Sequence, residues 1–249
     1  MRTFKIFALM VAATGMIFSS CQNDSDISSK TDSSLGVQLQ AVNNTYSFGS
    51  NTKAVTAGTL KWDTCQMYVS RVHLSAKQSQ GDSIHSSFEK ELTFKGSKLV
   101  DLFNASSLLG NIDLQPGIYD KITIQIQSNK KDAGNSPVFY LSGNYTNASG
   151  TITPIALIVN KDLKFIATAK DSVQLNSADD YTNMLQLDLS EFMSNGNILK
   201  LDFDKATLTN GKIIISEDSN ADLYKKFYRR VSLINAFKHA AFKKLNNKH

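Results

Sequence analysis

The chain has 249 residues, of which 41 % are hydrophobic and 20 % charged, with two cysteines and a formal net charge of +5. That length suits one large domain or two small ones, and 14 Phe, 8 Tyr and runs of Ile, Leu and Val supply a core. A uniformly basic protein is excluded: Arg2 and Lys5 lie at the N-terminus and eight basic residues follow Asp222 without an acid, so the body carries −5 and the tail +8.

Arg2 and Lys5 head the chain, residues 6–18 form an apolar run, and Ser19-Ser20 lead into Cys21. A positive head, an apolar stretch of ~7–15 residues and a small-residue exit have the form of a cleavable secretory signal. The run is too short to span ~30 Å of hydrocarbon. Phe18-Ser19-Ser20-Cys21 resembles the lipobox of bacterial lipoproteins, in which an aliphatic residue and two small ones precede a lipidated cysteine, with Phe in the aliphatic place. The resemblance implies a diacylglycerol thioether on Cys21, cleavage before it and acylation of the freed amine. Two or three acyl chains, at ~0.8 kcal/mol per buried CH₂, hold a protein stably on a membrane. The polar, Ser/Asp-rich residues 22–34 read as a flexible tether. Asp after the lipidated cysteine marks inner-membrane retention in enteric-type sorting; Gln22 stands there, so this resemblance implies the outer membrane. Asp24 and Asp26 also resemble the acidic export signals of surface-displayed lipoproteins. The predicted organisation is a signal over 1–20, a tether over 21–34, an all-β domain over 35–218 and a helix over 219–249.

From Leu35 the hydrophobic period is two. Leu35, Val37 and Leu39 alternate with polar residues, and residues 43–52 read as a turn-rich passage. Residues 59–75 predict a long strand or a pair of strands in which Cys65, Met67 and Val69 face one way while Val72 and Leu74 fall on the opposite parity. A bulge near Ser70-Arg71 reconciles the two halves, because one inserted residue flips the facing. Residues 78–87 read as a polar loop, 88–94 as a strand, and Asn104 as the cap of a short helical turn through Leu109. Pro116-Gly117 predicts a turn needing positive φ at the glycine. It delivers a strand over 118–127 with Ile122, Ile124 and Ile126 on one face. Further strands are expected over 138–145, 151–159, 163–169, 172–175, 184–189, 198–203 and 212–216, the last after an Asn210-Gly211 hairpin. Many short alternating strands predict an antiparallel β-sandwich or distorted barrel. After it, Ser219 with Asp222 reads as a capping box. Tyr224, Phe227/Tyr228, Val231, Ile234, Phe237/Ala241 and Leu245 then predict an amphipathic basic helix of about six turns.

Trp62, the 67–74 strand, Asp101-Leu102, Leu114-Gln115-Pro116-Gly117-Ile118-Tyr119, and Ile213-Ile214-Ile215-Ser216 running into Asn220 and Leu223-Tyr224 follow one another in an order that resembles a family of uncharacterised Gram-negative envelope lipoproteins. The resemblance covers most of residues 35–235. It implies a β-sandwich and an envelope location, and carries over no functional residues.

Catalytic motifs are missing from the sequence: there is no nucleophile elbow and no Gly-rich phosphate loop, and His73, His85, His239 and His249 form no pair with metal-ligand spacing. No catalytic residue, metal or cofactor is assigned. Asp188, Asp202 and Asp204 read either as a carboxylate cluster for Ca²⁺ or as solvent-facing strand residues. Asp179-Asp180 and Glu217-Asp218 read as turn and helix-start acids. With Cys21 lipidated, Cys65 has no partner and reads as a buried thiol. Tyr46, Phe48, Trp62, Tyr140, Tyr145 and Tyr181 lie near loops or strand ends, where aromatic rings either stack on sugars or pack the core. Asp82-Ser83-Ile84 and Asp171-Ser172-Val173 resemble sites of envelope O-glycosylation, making Ser83 and Ser172 candidates. The basic helix either packs on the acidic body, lies on an anionic membrane, or grips a polyanion; export argues against nucleic acid. The expectation is an outer-membrane lipoprotein that binds a glycan or an envelope or surface partner without catalysis. The alternatives are an accessory subunit of an envelope assembly docked through its C-terminal helix and, last, a glycan-acting hydrolase with two loop carboxyls.

Overall fold

The computed structural model describes residues 32–48, 58–80, 84–104, 108–169, 171–190, 201–233 and 237–245. The strands are β1 (Ser33–Val42), β2 (Thr45–Phe48), β3 (Gly58–Gln80), β4 (Ile84–Asp101), β5 (Leu108–Leu114) and β6 (Gly117–Ser128). A single helical turn, α1 (Lys130–Ala133), precedes β7 (Phe139–Thr146), β8 (Ile152–Val159), β9 (Leu163–Thr168), β10 (Val173–Leu175) and β11 (Asp180–Asp188). The short strands β12 (Leu208–Thr209) and β13 (Lys212–Ile215) lead to the helix α2 (Ala221–Leu233) and the final strand β14 (Phe237–Lys244).

These strands form two sheets that share one hydrophobic core. The smaller has the order β14-β11-β1-β5. The larger, ten-stranded and curled, runs β10-β6-β3-β7-β8-β13-β12, with β2 and β4 also on β3 and β9 on β6. Pairing is not uniformly antiparallel as expected, since β1 lies parallel to β11 and β13 parallel to β8. Both pairs join strands far apart in the chain, where a crossover leaves either direction open. The sheets meet along two seams. At one, Lys98 Nζ of β4 donates to the carbonyls of Leu108 (2.7 Å) and Leu109 (3.2 Å) on β5. At the other, β14 lies against β9.

Strand β3 is the spine. Its 23 residues carry β4 along one edge, while β7 and then β6 share the other end to end. The expected bulge is there: the β3–β4 register breaks between Val69 and Arg71. A second break, unforeseen in the sequence, falls between Trp62 and Thr64 against β7. At the first, Ser70 of β3 stands against residues 94–97 of β4, and at the second β3 carries one residue more than β7; the facing of β3 flips across each. Leu60 and Trp62, then Cys65, Met67 and Val69, then Val72 and Leu74 are therefore all at most 1 % exposed. Ile122, Ile124 and Ile126 of β6 pair with Ala76, Leu74 and Val72 and are equally buried.

Other expectations are corrected. Part of the turn-rich passage is the strand β2, because Tyr46 and Phe48 bring apolar side chains to the β3 edge. The polar loop over 78–87 is largely strand, since β3 and β4 extend to Gln80 and from Ile84, and backbone pairing outweighs polar composition. Leu108 and Leu109 belong to β5 rather than to a helical turn. Leu201 and Phe203 are buried without forming a strand. Pro116-Gly117 is a corner that carries the chain from the smaller sheet to the larger, with Gly117 at φ 151°. Helix α2 starts at Ala221, one residue later than a Ser219 cap requires. The predicted helix does not run to the end, because β14 takes the free edge of β11 from Leu187↔Phe237 to Tyr181↔Lys244. A sequence in which Phe237, Ala241 and Leu245 suit a helix also suits a ladder, and the unfilled sheet edge decides between them.

Candidate functional site

Cys21, Ser83 and His249 lie outside the described residues. Ser172 is exposed immediately before β10, beside exposed Asp171. The acids Asp188, Asp202 and Asp204 do not converge on one ligand. Asp188 accepts the Ser190 N–H (2.9 Å) and hydroxyl (2.6 Å), Asp202 pairs with Lys205 (2.8 Å), and Asp204 accepts the Tyr145 hydroxyl (2.9 Å). Among the described residues no three His, Cys, Asp or Glu side chains are grouped to hold a metal ion. His73 lies 3.9 Å from Glu89 across β3–β4, while His85 and His239 sit within β4 and β14. Cys65 is fully buried, and desolvation, with the Asp101 charge behind it, pushes its thiol well above the ordinary range.

The candidate aromatics divide sharply. Trp62 is core. Tyr46 meets Phe48 edge-on at a centroid distance of 5.1 Å, Phe48 (5.6 Å) and Tyr145 (5.2 Å) meet Phe203, and Phe203 reaches Phe227 of α2 at 6.3 Å. Tyr181 accepts the Asn176 N–H (2.9 Å) at the turn before β11. Tyr140 is different: it lines a groove on the outer face of the larger sheet.

Alternation builds this groove. Cys65, Met67 and Val69 point into the core, so Gln66 and Tyr68 point out. Tyr140 of β7 stands opposite Gln66, and Leu99 of β4 opposite Tyr68. Ser136 and Pro137, between α1 and β7, form the wall. Together these six residues line a volume of ≈ 280 Å³. Leu99 is 48 % exposed on β4, which pairs with β3, and adds apolar surface to the groove.

The wall is held from several directions. Tyr68 donates its N–H to Val138 O (2.9 Å) and its hydroxyl to Ser136 Oγ (3.2 Å). Lys130 Nζ donates to the carbonyls of Gly134 (2.9 Å) and Ser136 (2.7 Å), while its backbone N–H donates to Asp162 Oδ1 (2.6 Å). Below the wall, the bulge residue Ser70 accepts the Asn129 N–H (2.9 Å). Hydrogen bonds from Ser70 and then Asn129 hold the Asp132 carboxyl below its usual range. The sequence reading reached Tyr140 but not Tyr68, Gln66, Leu99, Ser136 or Pro137. The available signal was a tyrosine on the outward parity of a strand whose inward parity is wholly apolar.

No protein-family model, curated protein or solved structure matches the chain. The groove is therefore interpreted from its own lining.

Proposed function

We propose that this protein is an outer-membrane lipoprotein, anchored by lipid on Cys21, that uses a β-sandwich domain to bind a glycan without catalysis. The binding site is the groove between Tyr68 and Tyr140. Its lining carries the reading: two tyrosines, a leucine and a proline offer apolar surface to the C–H faces of a sugar, and Gln66 and Ser136 offer neutral hydrogen-bonding groups. The lipobox-like residues 18–21 support the anchor, and the polar stretch over 22–34 supports a tether. Burial of Leu223, Tyr224 and Phe227 supports α2 as part of the body and weighs against the accessory-subunit reading.

The test is retention of the purified chain on a panel of immobilised glycans and envelope extracts, beside Tyr68→Ala and Tyr140→Ala. Retention on a glycan that either substitution abolishes is the expected result. Absence of retention on every glycan overturns the reading.

A further inference from the structure

We infer that the groove selects an uncharged pyranose unit, and that Lys130, which does not line it, is the positioning residue that holds Ser136 as its specificity-determining hydroxyl. The inference rests on the glycan reading above and narrows it to a ligand class and a mechanism of selection.

The first observation is charge. None of Gln66, Tyr68, Leu99, Ser136, Pro137 and Tyr140 is ionisable near neutral pH. The charged residue in register beside them is Asp101, opposite Gln66, and its carboxylate accepts the Phe103 N–H (3.0 Å). A uronate or sulfated sugar entering this groove leaves water and finds no cation among the lining side chains, the Lys130 amine being turned to the Gly134 and Ser136 carbonyls, which disfavours it. A neutral ring finds apolar walls and two neutral polar side chains. The volume of ≈ 280 Å³ lies just below the usual ligand-pocket range of ~300–1,000 Å³, suited to one ring of a chain whose remainder stays outside.

The second observation is the path of hydrogen bonds behind the wall. The Lys130 amine binds the Ser136 carbonyl, and the Ser136 hydroxyl in turn receives the Tyr68 hydroxyl, so Oγ faces the groove with one acceptor position used. Lys130 is itself fixed through Asp162 Oδ1, in the turn between β8 and β9. That turn is gripped by α2: the Tyr228 hydroxyl donates to Asp162 O (3.4 Å), and Lys161 Nζ lies 5.6 Å from the Tyr228 ring centroid. The wall is thus set before any ligand arrives, which lowers the entropy lost on binding.

The experiment is calorimetric titration of the full chain with maltohexaose, cellohexaose and mannohexaose as neutral probes and hexagalacturonate as the charged one, at low and high salt. At least one neutral probe is expected to bind with salt-independent affinity, and the uronate to bind more weakly. Ser136→Ala is expected to weaken binding about tenfold. Lys130→Met is expected to do the same, Lys130→Arg to restore most of it, and the Lys130→Met/Ser136→Ala double variant to lose no more than either single one. Preference for the uronate overturns the ligand class, and additive losses overturn the positioning role. The ligand-free protein gives a separate readout, the tyrosine ring carbon resonances of Tyr68. A shift in Lys130→Met that Lys130→Arg reverses supports the relay, and unchanged resonances overturn it. If no probe of either charge binds the wild type, the glycan reading itself has failed, and the Tyr68 resonances still decide the role of Lys130.

Discussion

Gly143 of β7 stands across from Trp62 of β3 so closely that a Cβ on it would lie 1.9 Å from the carbonyl oxygen of Lys61. The contact falls at the break between Trp62 and Thr64, where one strand carries a residue more than its partner. The extra residue bends β3, and only a residue without a side chain admits the bent backbone. Gly143→Ala is therefore expected to destabilise the domain by about 1–3 kcal/mol or more, through displaced backbone rather than lost contacts. Urea unfolding of the two chains measures this; an unchanged midpoint contradicts it.

The break at Ser70 gives another test. Deleting Ser70 leaves Val69 and Val72 two positions apart, so simple alternation keeps Cys65, Met67, Val69, Val72 and Leu74 on one face while the bulge and its hydrogen bond to Asn129 are lost. That chain is expected to remain soluble and folded with a lowered urea midpoint, and an insoluble product contradicts it. Ser70→Ala keeps the count and loses one hydrogen bond to Asn129, costing about 1 kcal/mol. The same substitution should let the Asp132 carboxyl titrate closer to its ordinary value, which carboxyl-carbon NMR reads directly.

Lys244 and Asp179 close the end of β14 at 2.6 Å, beside a hydrogen bond from Leu245 N to Asp180 O (2.8 Å). Asp179 is held below its usual range, first by the hydrogen bond from Lys244, and Lys244 is held above its own by the same contact. A depressed carboxyl contributes stability above its unfolded value of ~3.9, lost as pH falls through the folded one; a raised amine contributes below ~10.4, lost as pH rises past the folded one. Hydrogen exchange at Lys244 and Leu245 should therefore quicken at both extremes relative to the β3 amides. Asp179→Asn should remove the acid limb. An acid limb that persists in Asp179→Asn sinks this assignment.

Phe227 is fully buried and meets Phe203 at 6.3 Å. Phe227→Ala is expected to cost about 3–5 kcal/mol. A cost under about 1 kcal/mol would mean that α2 contributes little to the core, and the docking-subunit reading would regain its ground.

Cys65 should be silent in the native protein. Its burial and raised thiol predict reaction with an aromatic disulfide reagent only when the chain is unfolded. Rapid native labelling at this residue contradicts the burial.

What the sequence determined by itself was local. Strand after strand was legible because a half-buried strand writes its two faces into alternate residues, and Ile122, Ile124 and Ile126 do so without ambiguity. The Ser70 bulge was legible for the same reason: a strand that keeps one face buried can change parity only by inserting a residue. So were the Asn210-Gly211 hairpin, where both residues take positive φ, and the demand for glycine after Pro116. The tertiary structure decided what alternation does not encode. Which strands neighbour one another, and in which direction, depends on edges far apart in the chain; that is why β1 came to lie parallel to β11. The fate of residues 237–244 belongs here too, because their side chains fit a helix or a ladder and only the open edge of β11 chooses. The groove is of the same kind. Tyr68 and Tyr140 are 72 positions apart on separate strands, and nothing in either stretch announces the other. They share a face because β3 and β7 pair at Gln66↔Tyr140, and they are walled because Lys130 folds the Ser136-Pro137 loop against them.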